Sequence, residues 1–237
     1  MRGNVLFLIL IAVMLFAALT AAITKSNEGT GNMNRERGTI SGTDLMSYGS
    51  AMEKTVARML SNDMSESSLS FENGNWQFND NSLVEPSATF PNCSSATCKV
   101  FDAMGGGMAA QTYTSQTLDS PVATDVRSGH GIVYALTVTG VGSSAQDLVL
   151  MISAIDKNTC TAINDTLKIV NPGGNPPADS WAGAVRYNGS FGSAADATGE
   201  IGDMATQIVG RTAGCIKRDS GAYGSADNYF YQVLLPR

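Results

Sequence analysis

Residues Val5–Ile23 read VLFLILIAVMLFAALTAAI, and the rest of the chain is organised around this stretch. It contains no charged residue, and Thr20 is its one polar side chain. At ~1.5 Å per residue, a helix over this stretch is about 28 Å long, close to the roughly 30 Å of a bilayer core. We therefore predict a transmembrane helix within residues 1–24, with the remainder of the chain carried on it.

The composition is low in charge and rich in glycine. Of 237 residues, 25 are glycine and 15% are charged, against ~25% charged in ordinary soluble domains. The formal net charge is −6, and the lysines and arginines are scattered, which argues against nucleic acid as a partner. This balance favours β-rich secreted or surface proteins over cytosolic enzymes.

Four cysteines follow the apolar stretch: Cys93, Cys98, Cys160 and Cys215. An even number behind an export-type segment favours disulfides. Cys93 and Cys98 enclose a short loop that suits a local bridge, which leaves Cys160 and Cys215 as a long-range pair. Zinc is the alternative, but the C-x4-C spacing is loose and the second pair lies far apart. The cysteines therefore place the C-terminal domain in an oxidising compartment.

A cleaved signal peptide is the alternative interpretation of the apolar stretch. The apolar region of a signal peptide is usually 7–15 residues long and ends at small residues. Here the run is longer, although Thr20, Ala21 and Ala22 resemble a cleavage site. We expect an uncleaved helix with its N-terminus inside.

Two further segments before residue 64 have distinct patterns. Residues 25–42 contain several glycines and few apolar residues, which predicts a flexible or irregular connector. Residues 43–63 predict an amphipathic helix, because their apolar side chains recur at steps of three and four. The stripe comprises Leu45, Tyr48, Met52, Val56, Met59 and Leu60.

The remainder of the chain predicts a β-sheet. Residues 131–141 and 147–155 are rich in β-branched side chains and predict an antiparallel pair in the centre of the sheet. Asp156 caps a short predicted helix. Residues 210–218 and 229–235 predict a closing hairpin. Weaker strand signals cover 69–72, 75–78, 99–103 and 108–113.

No catalytic, metal or cofactor site is predicted. Gly105–Gly107 lack the GK[ST] ending of a phosphate loop and indicate a tight turn. His130 is the one histidine, and no nucleophile-elbow motif accompanies it, so we expect a turn residue. The oxygen ligands available at 156–165 lack the spacing of an EF-hand. Asn-x-Ser/Thr triplets begin at Asn92, Asn164 and Asn188 and occur readily by chance in this composition.

An N-terminal apolar helix, an amphipathic helix and a disulfide-bonded β-domain together resemble the type IV pilins and pseudopilins of Gram-negative bacteria. Gly3 directly precedes the apolar run, where prepilins carry the glycine before their processing site. The segments NCSSATCKVFDAMGGGM (92–108) and NYFYQVLLPR (228–237) are also similar to pilin-like sequences. The resemblance implies an α+β fold in which helix 43–63 packs on an antiparallel sheet, within a pilin-like globular domain of residues 43–237.

The resemblance also implies a function. Processing would separate Gly3 from Asn4, and Leu8 then occupies the fifth position, where pilins usually carry a glutamate. The subunit would wait as a single-pass protein in the inner membrane, with its C-terminal domain periplasmic or extracellular. It would assemble with copies of itself, or with other pilin-like subunits, into a surface filament. The helix–helix contacts would involve Leu8, Ala12, Phe16, Ala17 and Ala21.

Two other functions are weighed against this structural role. One is a monomeric membrane-anchored periplasmic binding domain, whose helix serves only as a tether. The other is an anchored hydrolase that uses His130. The resemblance favours the filament subunit, which is neither an enzyme nor a cofactor-binding protein.

Overall fold

The computed structural model describes most of the chain. The described residues are 11–17, 20, 29–72, 78–79, 82–83, 92–113, 117–118, 129–180, 185–191, 200–218 and 228–237. The chain divides into two compact units, Met1–Arg37 and Gly38–Arg237.

The predicted membrane span is not supported. Residues 11–17 and 20 are helical, and the first long helix, α1 (Gly29–Ser61), carries charged side chains along its length. Within the described residues, none of the helices combines the length and the apolar character that crossing a bilayer requires. The predicted transmembrane helix over residues 1–24 and the single-pass inner-membrane placement are therefore corrected.

The predicted irregular connector is helical from Gly29 onward, because α1 covers most of it. Two of its glycines, Gly38 and Gly42, pack closely against a second helix, α2 (Lys157–Thr166). A Cβ on Gly38 would lie 2.8 Å from the backbone carbonyl carbon of Asn158, and one on Gly42 would lie 2.9 Å from Ile163 Cγ1. The sequence pattern that suggested flexibility is therefore a contact surface between two helices.

The apolar stripe predicted on α1 is buried as expected. Each buried aliphatic or aromatic side chain contributes about 1.5–3 kcal/mol relative to an exposed one. At the edge of this face, Gln232 Nε2 donates a hydrogen bond to Glu53 Oε2 at 2.9 Å. The buried members are Leu45, Tyr48, Met52, Val56 and Met59, and Leu60 is half-buried.

The described strands form one seven-stranded sheet and a separate two-stranded ribbon. The ribbon pairs β1 (Phe78–Asn79) with β2 (Ser82–Leu83). The strands of the large sheet are β3 (Gly131–Val138), β4 (Asp147–Ile155), β5 (Ala178–Asp179), β6 (Val185–Arg186), β7 (Glu200–Ile201), β8 (Ala213–Arg218) and β9 (Asn228–Leu235). Their order is β5-β8-β9-β4-β3-β6, with β7 also pairing with β3.

The purely antiparallel sheet predicted from the sequence is corrected to a mixed one. The four long strands pair with one another in antiparallel fashion, in the order β8-β9-β4-β3, which includes the predicted pair β3–β4 and the predicted hairpin β8–β9. The two-residue strands β5 and β7 pair in parallel with β8 and β3. A two-residue strand is too short to show a hydrophobic period, so the sequence pattern predicted only the long strands.

Both faces of the central sheet are covered. Leu148, Leu150 and Ile152 of β4 belong to the apolar cluster that includes the α1 stripe. Val149 and Met151 belong to a second cluster, formed with the segment around residues 201–208. Burial on two faces explains why β4 is a continuous apolar run instead of an alternating one.

Local signals around β4 and α2 were read correctly. Asp156 caps α2, accepting a hydrogen bond from the Thr159 backbone N–H at 3.0 Å. Of the weaker strand signals, the one over 75–78 is confirmed at Phe78, which lies in β1, and the other three do not form extended strands. Ser70 and Lys99 form an isolated bridge, as do Thr112 and His130, instead of extended strands. Residues 75–77 lie outside the described residues.

Both predicted disulfides are present, Cys93–Cys98 and Cys160–Cys215. The second joins α2 to β8. The buried Asn164 amide reinforces this connection, since its Oδ1 accepts from the Cys215 N–H at 2.9 Å and its Nδ2 donates to the Cys215 carbonyl at 2.8 Å.

Candidate assembly surface

The helical residues 11–17 form an apolar surface that is open to solvent. Ile11 is 40% exposed, Val13 62% and Phe16 74%, and Met14 and Leu15 lie between these limits. Successive residues of a helix are rotated by about 100°, so these seven residues point in every direction around the axis. Large apolar side chains exposed on all sides of a helix indicate a segment that is covered by a partner. We call residues 11–17 the apolar segment.

The residues predicted for helix–helix contact fall partly within the apolar segment. Ala12, Phe16 and Ala17 lie in it, and all three are exposed. Leu8 and Ala21, together with the predicted processing pair Gly3 and Asn4, lie outside the described residues.

Two exposed apolar residues of α1 were missed at the sequence level. Met33 is 63% exposed and Ile40 is 72% exposed. Both precede the buried stripe, in the segment predicted as an irregular connector, so no helical face was assigned to them. A helical period extended N-terminally from Leu45 would have placed Ile40 off the buried face.

Among the described residues of the second unit outside α1, the exposed large apolar side chains are four and are spread along the chain. Such isolated side chains are normal on protein surfaces. In this respect the surface of the second unit differs from the apolar segment. The residues concerned are Met104, Val170, Met204 and Val209.

The glycine turn contacts the end of α1 and has a packing role. A Cβ on Gly105 would lie 2.2 Å from the Lys99 carbonyl oxygen, and one on Gly106 would lie 2.2 Å from that of Val100. Arg58 of α1 donates from Nη2 to the Gly106 carbonyl at 2.6 Å. Close backbone contact therefore requires glycine at positions 105 and 106, whereas Gly107 has open space around it and a positive φ of +68°. This arrangement agrees with the predicted turn.

His130 has a structural environment. It lies directly before β3, and its Nδ1 is 3.4 Å from Thr112 Oγ1 across the isolated bridge. Burial lowers its pKa below the ordinary value of 6.5, which favours the neutral imidazole. Neither observation identifies a nucleophile for it to activate.

Two buried carboxylates organise loops of the second unit. Asp147 accepts hydrogen bonds from the backbone N–H groups of Val138 at 3.0 Å and Arg237 at 2.8 Å, and burial raises its pKa. Asp179 accepts from Ser180 and Gly202, each at 2.7 Å. Burial raises the pKa of Asp179 to about 6. The sequence did not single out Asp179, because it ends a Pro/Gly-rich loop.

Besides its backbone N–H hydrogen bond to Asp147, Arg237 contacts three further groups. Its Nε forms an ion pair with Glu66 Oε2 at 3.1 Å, and its guanidinium lies 3.9 Å from the centre of the Phe191 ring. Its carbonyl accepts a hydrogen bond from the Ser143 N–H. The end of β9 is thereby fixed to the β3–β4 turn and to the segment after α1.

The described residues contain no cluster of three or more His, Cys, Asp or Glu side chains suited to a metal ion. The apolar segment is thus the surface that most needs a functional explanation. Comparison with family models, with curated proteins and with solved structures gave no match, so the evidence for function comes from the residues themselves.

Proposed function

We propose that the protein is a structural subunit of a pilus-like or pseudopilus-like filament, and that it assembles through its N-terminal apolar helix. The observation that carries the proposal is the apolar segment, whose large side chains are exposed on every side of the helix. The pilin resemblance of the layout supports the same role. Other copies of this chain are the proposed partner.

The geometry of the apolar segment favours many copies over two. Burying one large apolar side chain stabilises by about 1.5–3 kcal/mol. A single neighbouring helix covers only one side, and association costs roughly 4–15 kcal/mol in lost freedom. Several neighbours are needed to cover all sides. Contacts that repeat head to tail without closing generate a filament.

The second unit is a folded body with a core of its own. Its core includes residues of α1 from Leu45 onward, and two disulfides connect its loops and elements. The pilin resemblance implies the same organisation, in which one part of the chain assembles and another part is a separately folded domain.

A lysine substitution in the apolar segment tests the proposal. The full chain should form sedimentable filaments visible by electron microscopy. Val13→Lys and Phe16→Lys should abolish them, because a lysine buried among apolar helices carries a large desolvation cost. Val170→Lys is the matched control, since Val170 is similarly exposed, at 68%, but lies in the second unit. It should assemble normally.

A mixing experiment separates assembly from simple tethering. A minor fraction of the Phe16→Lys chain should shorten filaments of the unsubstituted chain, because a defective subunit interrupts a repeating contact. Equal thermal unfolding of the second unit in all variants would show that folding is intact. A full chain that stays monomeric, or filaments unaffected by both lysines, would refute the proposal.

A further inference from the structure

The asparagines of the three Asn-x-Ser/Thr triplets have different environments in the structure. The Asn164 side chain is buried and hydrogen-bonded at both its oxygen and its nitrogen. Asn92 is exposed, and its Nδ2 donates to the Gly189 carbonyl at 3.4 Å. Asn188 is exposed, and the hydroxyl of Ser190 donates to its side-chain Oδ1 at 2.6 Å.

Asn188 is followed by a glycine with φ +91°. Glycine has no Cβ, so it leaves the backbone nitrogen sterically open and adopts this left-handed conformation without strain. Among the described residues, the Gly189 N–H donates no hydrogen bond. The amide of Asn188 and the hydroxyl of Ser190 are therefore exposed on either side of Gly189, which is itself buried.

We propose that Asn188 is a site of spontaneous deamidation assisted by Ser190. The Gly189 nitrogen attacks Asn188 Cγ, forming an N–Cγ bond and a five-membered succinimide. The Cγ–Nδ2 bond breaks, and ammonia leaves with the proton that Gly189 loses. Water then opens the ring at either carbonyl, giving aspartate or isoaspartate with no change of oxidation state.

The Ser190 hydroxyl lies where it assists the first step. Negative charge develops on Oδ1 when the nitrogen attacks, and a hydrogen-bond donor already directed at that oxygen stabilises it. The attacking and attacked groups belong to adjacent residues, so little entropy is lost in bringing them together. The same hydroxyl polarises the amide before attack.

The product changes the charge of the loop. A carboxylate at position 188 adds one negative charge to a chain whose formal net charge is −6. It lies next to Gly189, which accepts from Asn92, and three residues before Phe191, which contacts the Arg237 guanidinium. Deamidation thus yields a second, more acidic form of the surface formed by these residues.

The sequence offers a convenient assay and an internal control. Tryptic cleavage after Arg186 and Arg211 releases a peptide whose one asparagine is Asn188. A second Asn-Gly dipeptide occurs at Asn73, which lies outside the described residues and is followed two positions later by Asn75 instead of a hydroxyl residue. Conversion at both sites can be followed in one digest by mass spectrometry.

The experiment incubates the folded full chain in mildly alkaline buffer. We expect the amide-to-acid mass increase at Asn188, a several-fold slower conversion in Ser190→Ala, and none in Asn188→Gln. In concentrated urea, the unsubstituted and Ser190→Ala chains should convert at equal rates, because the hydrogen bond is lost. Equal rates in the folded chains, or an Asn188 that stays intact while Asn73 converts, would overturn the proposal.

Discussion

Asp179 is a residue whose ionisation is coupled to folding. It is fully buried, and its raised pKa of about 6 compares with an ordinary value of 3.8. Between these values the unfolded chain is ionised while the folded chain keeps its proton. The free energy of unfolding therefore falls as pH rises through this window, by about 3 kcal/mol, since one pKa unit corresponds to about 1.4 kcal/mol.

We predict that Asp179→Asn removes this pH dependence. The substitution should lower the free energy of unfolding at every pH. The amide nitrogen of asparagine cannot accept a hydrogen bond, so one of the two backbone N–H groups that donate to Asp179 loses its acceptor. Urea unfolding between pH 4 and about 7 measures the slope. Asp203→Asn is the control: Asp203 raises the pKa of Asp179, so the decline should move to lower pH. An unchanged slope in Asp179→Asn would contradict the assignment.

Gly106 and Gly107 provide a matched pair. Gly106→Ala should cost more than about 3 kcal/mol, because its Cβ would overlap the Val100 carbonyl oxygen. Gly107 has φ +68° and open space around it, so Gly107→Ala should cost only about 1–2 kcal/mol of left-handed strain. Chemical denaturation measures the free energy of unfolding of both variants. Equal losses in the two would show that steric overlap with the Val100 carbonyl does not destabilise Gly106→Ala.

At the scale of elements, the two disulfides should differ in strength. The Cys160–Cys215 bridge spans 55 positions and Cys93–Cys98 spans five. Loop-closure entropy predicts stabilisations of about 4 and about 2 kcal/mol respectively. We expect Cys160→Ala/Cys215→Ala to lose about twice the stability lost by Cys93→Ala/Cys98→Ala. Thermal and urea unfolding measure both, and a larger loss from the short loop would contradict this order.

The elements that the sequence predicted well are those with a strong period. The stripe from Leu45 to Met59, the strand pair β3–β4 and the hairpin β8–β9 all carry such a pattern. The prediction of an irregular connector was wrong because glycine is typical of flexible segments and also of close contacts between helices. Gly38 and Gly42 belong to the second case. Only the position of Asn158 on α2 distinguishes the two, and that position depends on the tertiary fold.

At the scale of the whole molecule, the two units should be separable. Every described buried core side chain lies after Gly38. We predict that a chain of residues 38–237 unfolds with nearly the stability of the full chain and stays monomeric at concentrations where the full chain assembles. Calorimetry and sedimentation velocity test the two parts. Loss of cooperative unfolding would show that residues 1–37 contribute to the core.

The candidate site was predicted in part. Ala12, Phe16 and Ala17 were selected because they lie in an apolar run, and the structure shows all three exposed. The bilayer was inferred as their environment from the length and the apolar composition of the run, and lipid and neighbouring helices favour the same side chains. Asp179 and Asn188 were not selected as sites, because their properties come from groups distant in sequence or from hydrogen-bond geometry.

The position of β9 has a consequence for biosynthesis. It is the latest of the described strands in sequence, yet it lies between β8 and β4 in the middle of the sheet. While a ribosome is still adding residues before Asn228, β4 and β8 have no strand between them and expose their hydrogen-bonding edges. The sheet therefore closes only after translation has passed β9, and chaperones that shield open strand edges should bind the nascent chain until that moment.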